Sequence, residues 1–183
     1  WTDGSGLVRC CQRSATFFMP QKPYMFPASL REQLLYPETH AQCVKDMELV
    51  DALRSVQLGY LLERYGLSSQ EAWSSVLSLG EQQRIGFARV LLRKGLRLAL
   101  IDEGTSGCDP ANEALLYSML AQHVCSYVSV GHRPALRHYH SHVLCLQHSD
   151  GLSTSDSSQP LSQWAFMTME DYNLTHVACE AKS

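Results

Sequence analysis

The sequence predicts an α/β fold with a mainly parallel sheet. Two observations carry that expectation. Strand-like and helix-like segments alternate from Leu98 to Leu146, and parallel strands need such crossover connections. Leu98–Ile101 (LALI) is a short apolar run with charge only at its ends, the pattern of a parallel strand covered on both faces. The chain has 183 residues, 45% hydrophobic and 18% charged, which is ordinary for one folded domain with a tail.

The elements follow in order. Ala15–Met19 (ATFFM) reads as a buried strand ended by Pro20. Pro20-Gln21-Lys22-Pro23 forces an extended loop, because a residue before proline avoids the helical region. Ser29 can cap a short helix over Leu30–Tyr36, stopped by Pro37. From Ala41 to Leu67 apolar residues fall at helical spacing, and Gly59 and Gly66 divide the stretch into two helices. Glu71–Leu77 is expected to be a linker carrying Trp73. Gly80–Arg93 reads as a helix with Ile85, Phe87, Ala88, Leu91 and Leu92 tending to one side and Gln83, Arg84, Arg89 and Arg93 spread around it. Pro110 suits the first turn of a helix that runs to His123, followed by an alternating strand over Val124–Val130. A short helix at Pro134–Tyr139 and a strand at Val143–Leu146 come next. Residues 148–162 are polar and low in complexity, as a flexible loop is. A terminal strand over Trp164–Met169 and an irregular tail complete the chain.

Composition excludes several classes. Net charge is −3, so no global field attracts nucleic acid, and no nucleic-acid partner is expected. No apolar run approaches the roughly 20 residues of a membrane helix. The seven cysteines (Cys10, Cys11, Cys43, Cys108, Cys125, Cys145 and Cys179) are odd in number and include no C-x-x-C pair. Scattered reduced thiols are expected rather than a disulfide framework. His138, His140 and His142 alternate; on a strand they would share a face that could take Zn²⁺, although a turn in this stretch would separate them.

The chemistry concentrates in Leu77–Asp109. Asp102 and Glu103 emerge at the C-terminal end of the apolar strand, where open α/β sheets bind ligands. A first carboxylate there suits Mg²⁺ beside a triphosphate, and a second can polarise an attacking water. Ser78 and Gly80 stand at a helix N-terminus, whose free N–H groups favour an anion. Taken alone, Ser78 reads first as an ordinary cap and His132 as an ordinary loop histidine, while Asp102-Glu103 is equally a solvated strand end.

Their order is distinctive. Gln21 follows a strand; then come LSLGEQQR, LALIDE about twenty residues later, TSGCD, and the strand-terminal His132 in SVGHRP. This set resembles the later part of an ABC-type nucleotide-binding domain, over about residues 1–147. MPQKPYMFPASLREQLLYP, WSSVLSLGEQQRIGFARVLL and SVGHRP are similar to the Q-loop, signature and switch segments of subfamily D transporters and their bacterial half-transporter relatives. The resemblance implies a RecA-like P-loop ATPase core, with residues 38–79 as the helical signature subdomain. It implies ATP and Mg²⁺ as ligands. Gln21 would contact Mg²⁺ or water and face the membrane domain. Ser78 and Gly80, with Glu81, would grip the γ-phosphate of a nucleotide on a partner. Asp102 would act on Mg²⁺, Glu103 as general base, and His132 as switch histidine. Asp109 would lie at the dimer interface.

The sequence departs from the family pattern in places. Leu79 stands for the usual glycine and Glu81 for the usual glutamine, and SGCD replaces SALD, which is expected to loosen packing there. No G-x-x-x-x-G-K-[ST] phosphate loop occurs. The chain starts at Trp1, and the N-terminal part of the domain, with a transmembrane domain, is expected upstream. The resemblance further implies a head-to-tail dimer with a second nucleotide-binding domain and a location at the cytosolic face of a membrane. The intact protein would couple ATP hydrolysis to transport, while the isolated chain would be inactive. The rival expectations are a soluble ABC ATPase, or a truncated domain acting only as a dimerisation partner.

Overall fold

A computed structural model describes Leu7 and residues 9–38, 44–148 and 162–180. Two compact units, residues 1–132 and 133–183, divide the chain. In chain order the first contains β1 (Thr16–Met19), β2 (Ala28–Ser29), α1 (Leu30–Leu35), α2 (Asp46–Ser55), α3 (Tyr60–Arg64) and β3 (Gln70–Glu71). It continues with α4 (Trp73–Val76), α5 (Leu79–Leu92), β4 (Leu98–Asp102), α6 (Pro110–His123) and β5 (Ser126–Val130). The fold is α/β and its main sheet is parallel, in the order β1-β4-β5.

The sheet is covered on one face only among the described residues. Phe17, Met19, Ala99 and Ile101 are buried. On the opposite face Phe18 (59% exposed), Leu100 and Val128 (56% exposed) stand in register, with Val130 beside them. The apolar run LALI led to the expectation of a strand covered on both faces. Run length reports β-propensity and burial of one row, and it cannot count the layers packed on a sheet.

α5 is the helix on which the first unit is assembled. Its one-sided apolar pattern predicts a buried stripe, yet Gln82, Gln83 and Arg89 are buried as well. Each donates to backbone carbonyls of neighbouring segments. Arg89 donates to Gln33 O (2.7 Å) and Tyr24 O (2.9 Å), and its guanidinium lies over the Tyr36 ring. This fastens α5 to α1 and to the loop before it. Burial pushes the Arg89 guanidinium down to about 10.

α1 forms where Ser29 and Glu32 cap each other, Glu32 N–H donating to Ser29 Oγ and the Glu32 carboxylate accepting from Ser29 N–H. α2 and α3 occupy the predicted helical stretch, with Gly66 at φ 72 closing α3. Leu49, Leu53, Val56, Leu58 and Leu61 are 0–1% exposed, each contributing about 1.5–3 kcal/mol by burial. The stretch expected to be a linker instead contains the one-turn α4. Trp73 there is 1% exposed and donates its indole N–H to Ala28 O at 2.7 Å. β2 and β3 pair antiparallel in the same place, Ala28 opposite Glu71.

The second unit contains a 3₁₀ helix (Pro134–Tyr139), β6 (His142–His148), β7 (Ser162–Thr168) and α7 (Met169–Glu180). β6 and β7 pair antiparallel. Most of the loop expected at 148–162 lies outside the described residues, but His148 and Ser162 pair at its ends. The expected irregular tail is helical from Met169. Thr168 Oγ1 accepts from Asp171 N–H (3.1 Å) and donates to its carboxylate (2.7 Å), which caps the helix. No helix among the described residues is long and apolar enough to cross a membrane.

Candidate functional site

β4 delivers Asp102 and Glu103 to the end of the parallel sheet, opposite Val130 of β5. Glu103 leaves the strand at φ 46, a left-handed conformation that a residue with a Cβ adopts only under constraint. Its N–H donates to Val130 O at 2.9 Å. Its carboxylate lies between two other loops. Gln21 Nε2 donates to one oxygen at 2.5 Å, and His132 Nε2 lies 3.1 Å from the other. Gln21, Glu103 and His132 are therefore one cluster, although Gln21 and His132 were anonymous as single residues.

Asp102 is half-buried beside this cluster. Among the described residues no hydrogen bond or ion pair engages its carboxylate, nor the side-chain oxygen of Gln21. Two unengaged hard oxygen donors fit a magnesium ion, which takes carboxylate and carbonyl oxygens and keeps several waters.

The other half of the predicted site is the N-terminus of α5. Ser78 caps it, and Glu81 completes the box: Ser78 Oγ accepts Glu81 N–H at 3.3 Å, while the Glu81 carboxylate accepts Ser78 N–H and Oγ–H, each at 2.7 Å. Tyr60 donates its hydroxyl to the other Glu81 oxygen. Ser78 is exposed, and its hydroxyl must turn from Glu81 to serve an anion.

The first turn of α5 packs on the loop after Glu103. A Cβ on Gly107 would fall 2.8 Å from Gly80 N and 3.0 Å from Leu79 Cγ. The SGCD departure was expected to loosen this packing; glycine instead permits a closer approach than alanine would. Asp109 does not lie with the Glu103 cluster. Its carboxylate caps α6, accepting from Asn112 N–H (2.8 Å) and Nδ2 (2.7 Å). These hydrogen bonds hold it below the usual carboxylate range.

Sequence reading missed Gln83, Thr105 and Glu113. Gln83 bridges α5 to the loops of Gln21 and Glu103, and Thr105 donates to the buried Glu113 carboxylate at 2.7 Å. The only available signal was polar side chains at positions whose neighbours are buried. His138, His140 and His142 do not share the face that one strand would have given them. His138 lies in the 3₁₀ helix, His140 ends it with Nδ1 2.8 Å from Leu136 O, and His142 begins β6 stacked on Phe166. Among the described residues no group of three His, Cys, Asp or Glu is placed to hold a metal ion.

No family model matches the chain. It is 47% identical over 149 residues to an uncharacterized ABC transporter ATP-binding protein of Synechocystis, covering 80% of this chain and 22% of that protein. The chloroplastic ABC transporter D family member 2 of Arabidopsis thaliana is 39% identical over 165 residues, covering 76% and 23%. The chain belongs to the family of ABC transporter ATP-binding proteins. Human ATP-binding cassette sub-family D member 3 is 34% identical over 164 residues, covering 87% and 24%. A bacterial Atm1-family ABC exporter with ATP bound shares the fold with a TM-score of 0.60 at 22% identity, over 72% of this chain and 24% of that one. The chain thus spans 22–24% of the length of these curated relatives. The Synechocystis and Arabidopsis relatives are named as ABC transporters, and the soluble-ATPase and pairing-module readings are not favoured.

Proposed function

We propose that this ABC-type chain is the signature-bearing part of a RecA-like ATPase domain in a membrane transporter, with residues 38–79 as its helical signature subdomain. The observation that carries the reading is Glu103, held between Gln21 and His132 at the end of a parallel strand.

Glu103 acts as general base, taking a proton from the water that attacks the γ-phosphate of ATP. Positioned proton transfer is worth roughly 10²–10⁴-fold in rate. His132 and Gln21 hold the carboxylate, and both contacts must rearrange to admit the water. Asp102 and the Gln21 side-chain oxygen would hold Mg²⁺, which would neutralise charge on the phosphate oxygens when bound. Ser78, Gly80 and Glu81 present the N-terminus of α5 to a nucleotide on a second domain, arranged head to tail. Asp109 lies at that dimer interface. The Gln21 loop faces a transmembrane domain, which places this domain at the cytosolic face of the membrane. The 183 residues hold no G-x-x-x-x-G-K-[ST], so the isolated chain lacks the amide cradle for ATP and does not turn it over.

Glu103→Gln in the full-length protein tests the reading. ATP binding is expected to persist while steady-state hydrolysis falls at least 100-fold, in line with the ~10²–10⁴ range for a lost base. Hydrolysis within twofold of the parent would reassign the base.

A further inference from the structure

Gln83 is fully buried, one turn along α5 from Gly80. A buried amide with no structural duty is costly, and its four hydrogen-bonding sites need partners. Its partners all lie in the two loops of the candidate site. Nε2 is 2.9 Å from Gln21 O, 3.2 Å from Glu103 O and 3.0 Å from Ser106 Oγ, and Oε1 accepts Gly107 N–H at 2.8 Å. A primary amide has two N–H groups, so three acceptors share two protons.

Two further observations give this arrangement a purpose. Glu103 occupies a left-handed conformation, held at its N–H by Val130 and at its carbonyl by Gln83 and Ser106 N–H. Such a conformation persists only where the surroundings over-determine it. Gly80 and Gly107 touch, so the loop that Gln83 grips also abuts the first turn of α5. Ser78 stands on that turn. The phosphate-facing end of α5 and the Glu103 loop are therefore joined by a close backbone contact, by the Gln83 side chain and by the Cys108 thiol, 3.8 Å from Gly80 O.

We propose that Gln83 is a positioning residue: its amide fixes Glu103 and the Gln21 loop relative to the N-terminus of α5, and so makes the geometry of the base depend on the end of the helix that faces the partner's nucleotide. This rests on the reading of Glu103 as base. Gln83 touches no substrate and acts through the backbone of the residues that do. An apolar side chain of equal size would fill the space and hold none of these groups. A carboxylate would still accept from Gly107 but would face the carbonyls of Gln21 and Glu103 with no proton to offer.

The test compares Gln83→Glu and Gln83→Met in the full-length protein by ATPase kinetics and by amide exchange. Both variants are expected to lose at least tenfold in kcat, with KM for ATP within twofold. A merely structural role would lower the folded fraction and leave kcat per folded molecule intact, and that result overturns the proposal. The Gly107 amide is expected to exchange at least tenfold faster in Gln83→Met and to remain protected in Gln83→Glu; unchanged exchange in Gln83→Met also overturns it. The exchange readout stands even if the parent protein hydrolyses no ATP, an outcome that would remove the ATPase reading alone. If Gln83→Met does not fold, Gln83→Asn, shorter by one methylene, replaces it with the same expected losses.

Discussion

Gly80 and Gly107 meet backbone to backbone: a Cβ on Gly80 would lie 2.4 Å from the Gly107 carbonyl oxygen. The obstacle is main chain, which cannot swing aside as a side chain can. Gly80→Ala is therefore expected to separate α5 from the Glu103 loop and to destabilise the fold by about 1–3 kcal/mol, as overpacking does. Urea unfolding measures this, and a change below about 0.5 kcal/mol, the ordinary surface range, would show that the loop yields freely.

Trp73 supplies a separate test of the helical segment. Its ring is buried edge-on to Tyr65, with centroids 5.4 Å apart, and its N–H holds Ala28 O. Trp73→Phe keeps most of the packing and leaves that carbonyl without its donor, at a cost of about 1–3 kcal/mol. Trp73→Ala should cost about 3–5 kcal/mol. Equal losses in the two variants would mean that packing contributes little beyond the hydrogen bond.

Asp109 sets a pH dependence. Its pKa is lowered in the fold, first by the Asn112 backbone N–H and then by the Asn112 side chain. A depressed carboxyl stabilises the folded state above its unfolded pKa, near 3.9, and that contribution disappears as pH falls through the lower folded value. The melting-temperature gap between the parent and Asp109→Ala should accordingly be full at pH 6 and shrink at the acid end, below about pH 4. A gap constant from pH 6 to pH 2 would assign the effect to something other than the ionised cap.

His132 is expected to matter to turnover and not to folding. Its side chain is 87% exposed and makes one ion-pair contact, with Glu103. His132→Ala in the full-length protein should lower ATP hydrolysis at least tenfold and shift stability by less than about 0.5 kcal/mol, as exposed substitutions do. A large loss of stability with unchanged turnover per folded molecule would make the histidine a structural residue.

Much of the site was legible because its signals are local. Ser78 before an apolar helix, Asp102-Glu103 after an apolar run and His132 after an alternating strand each follow from spacing within one element. Gln83 and Trp73 were not legible for the converse reason. Their partners, Gln21, Glu103 and Ala28, are 62, 20 and 45 positions away, and periodicity carries no information about such distances. The helix after Thr168 was a local signal left unread, since its cap is three residues from Asp171.

By itself the sequence determined most of the elements of the first unit, their order and the family to which they belong, because side-chain period and capping chemistry act over a few residues; α4, α7 and the β2–β3 pair escaped it. The tertiary structure decided which loops meet at Glu103, that Gln83 and Arg89 are buried, and that the Phe18–Leu100–Val128 row faces outward. Those outcomes depend on which surfaces are packed together, and a chain's local pattern states only that a surface is apolar, not what comes to cover it.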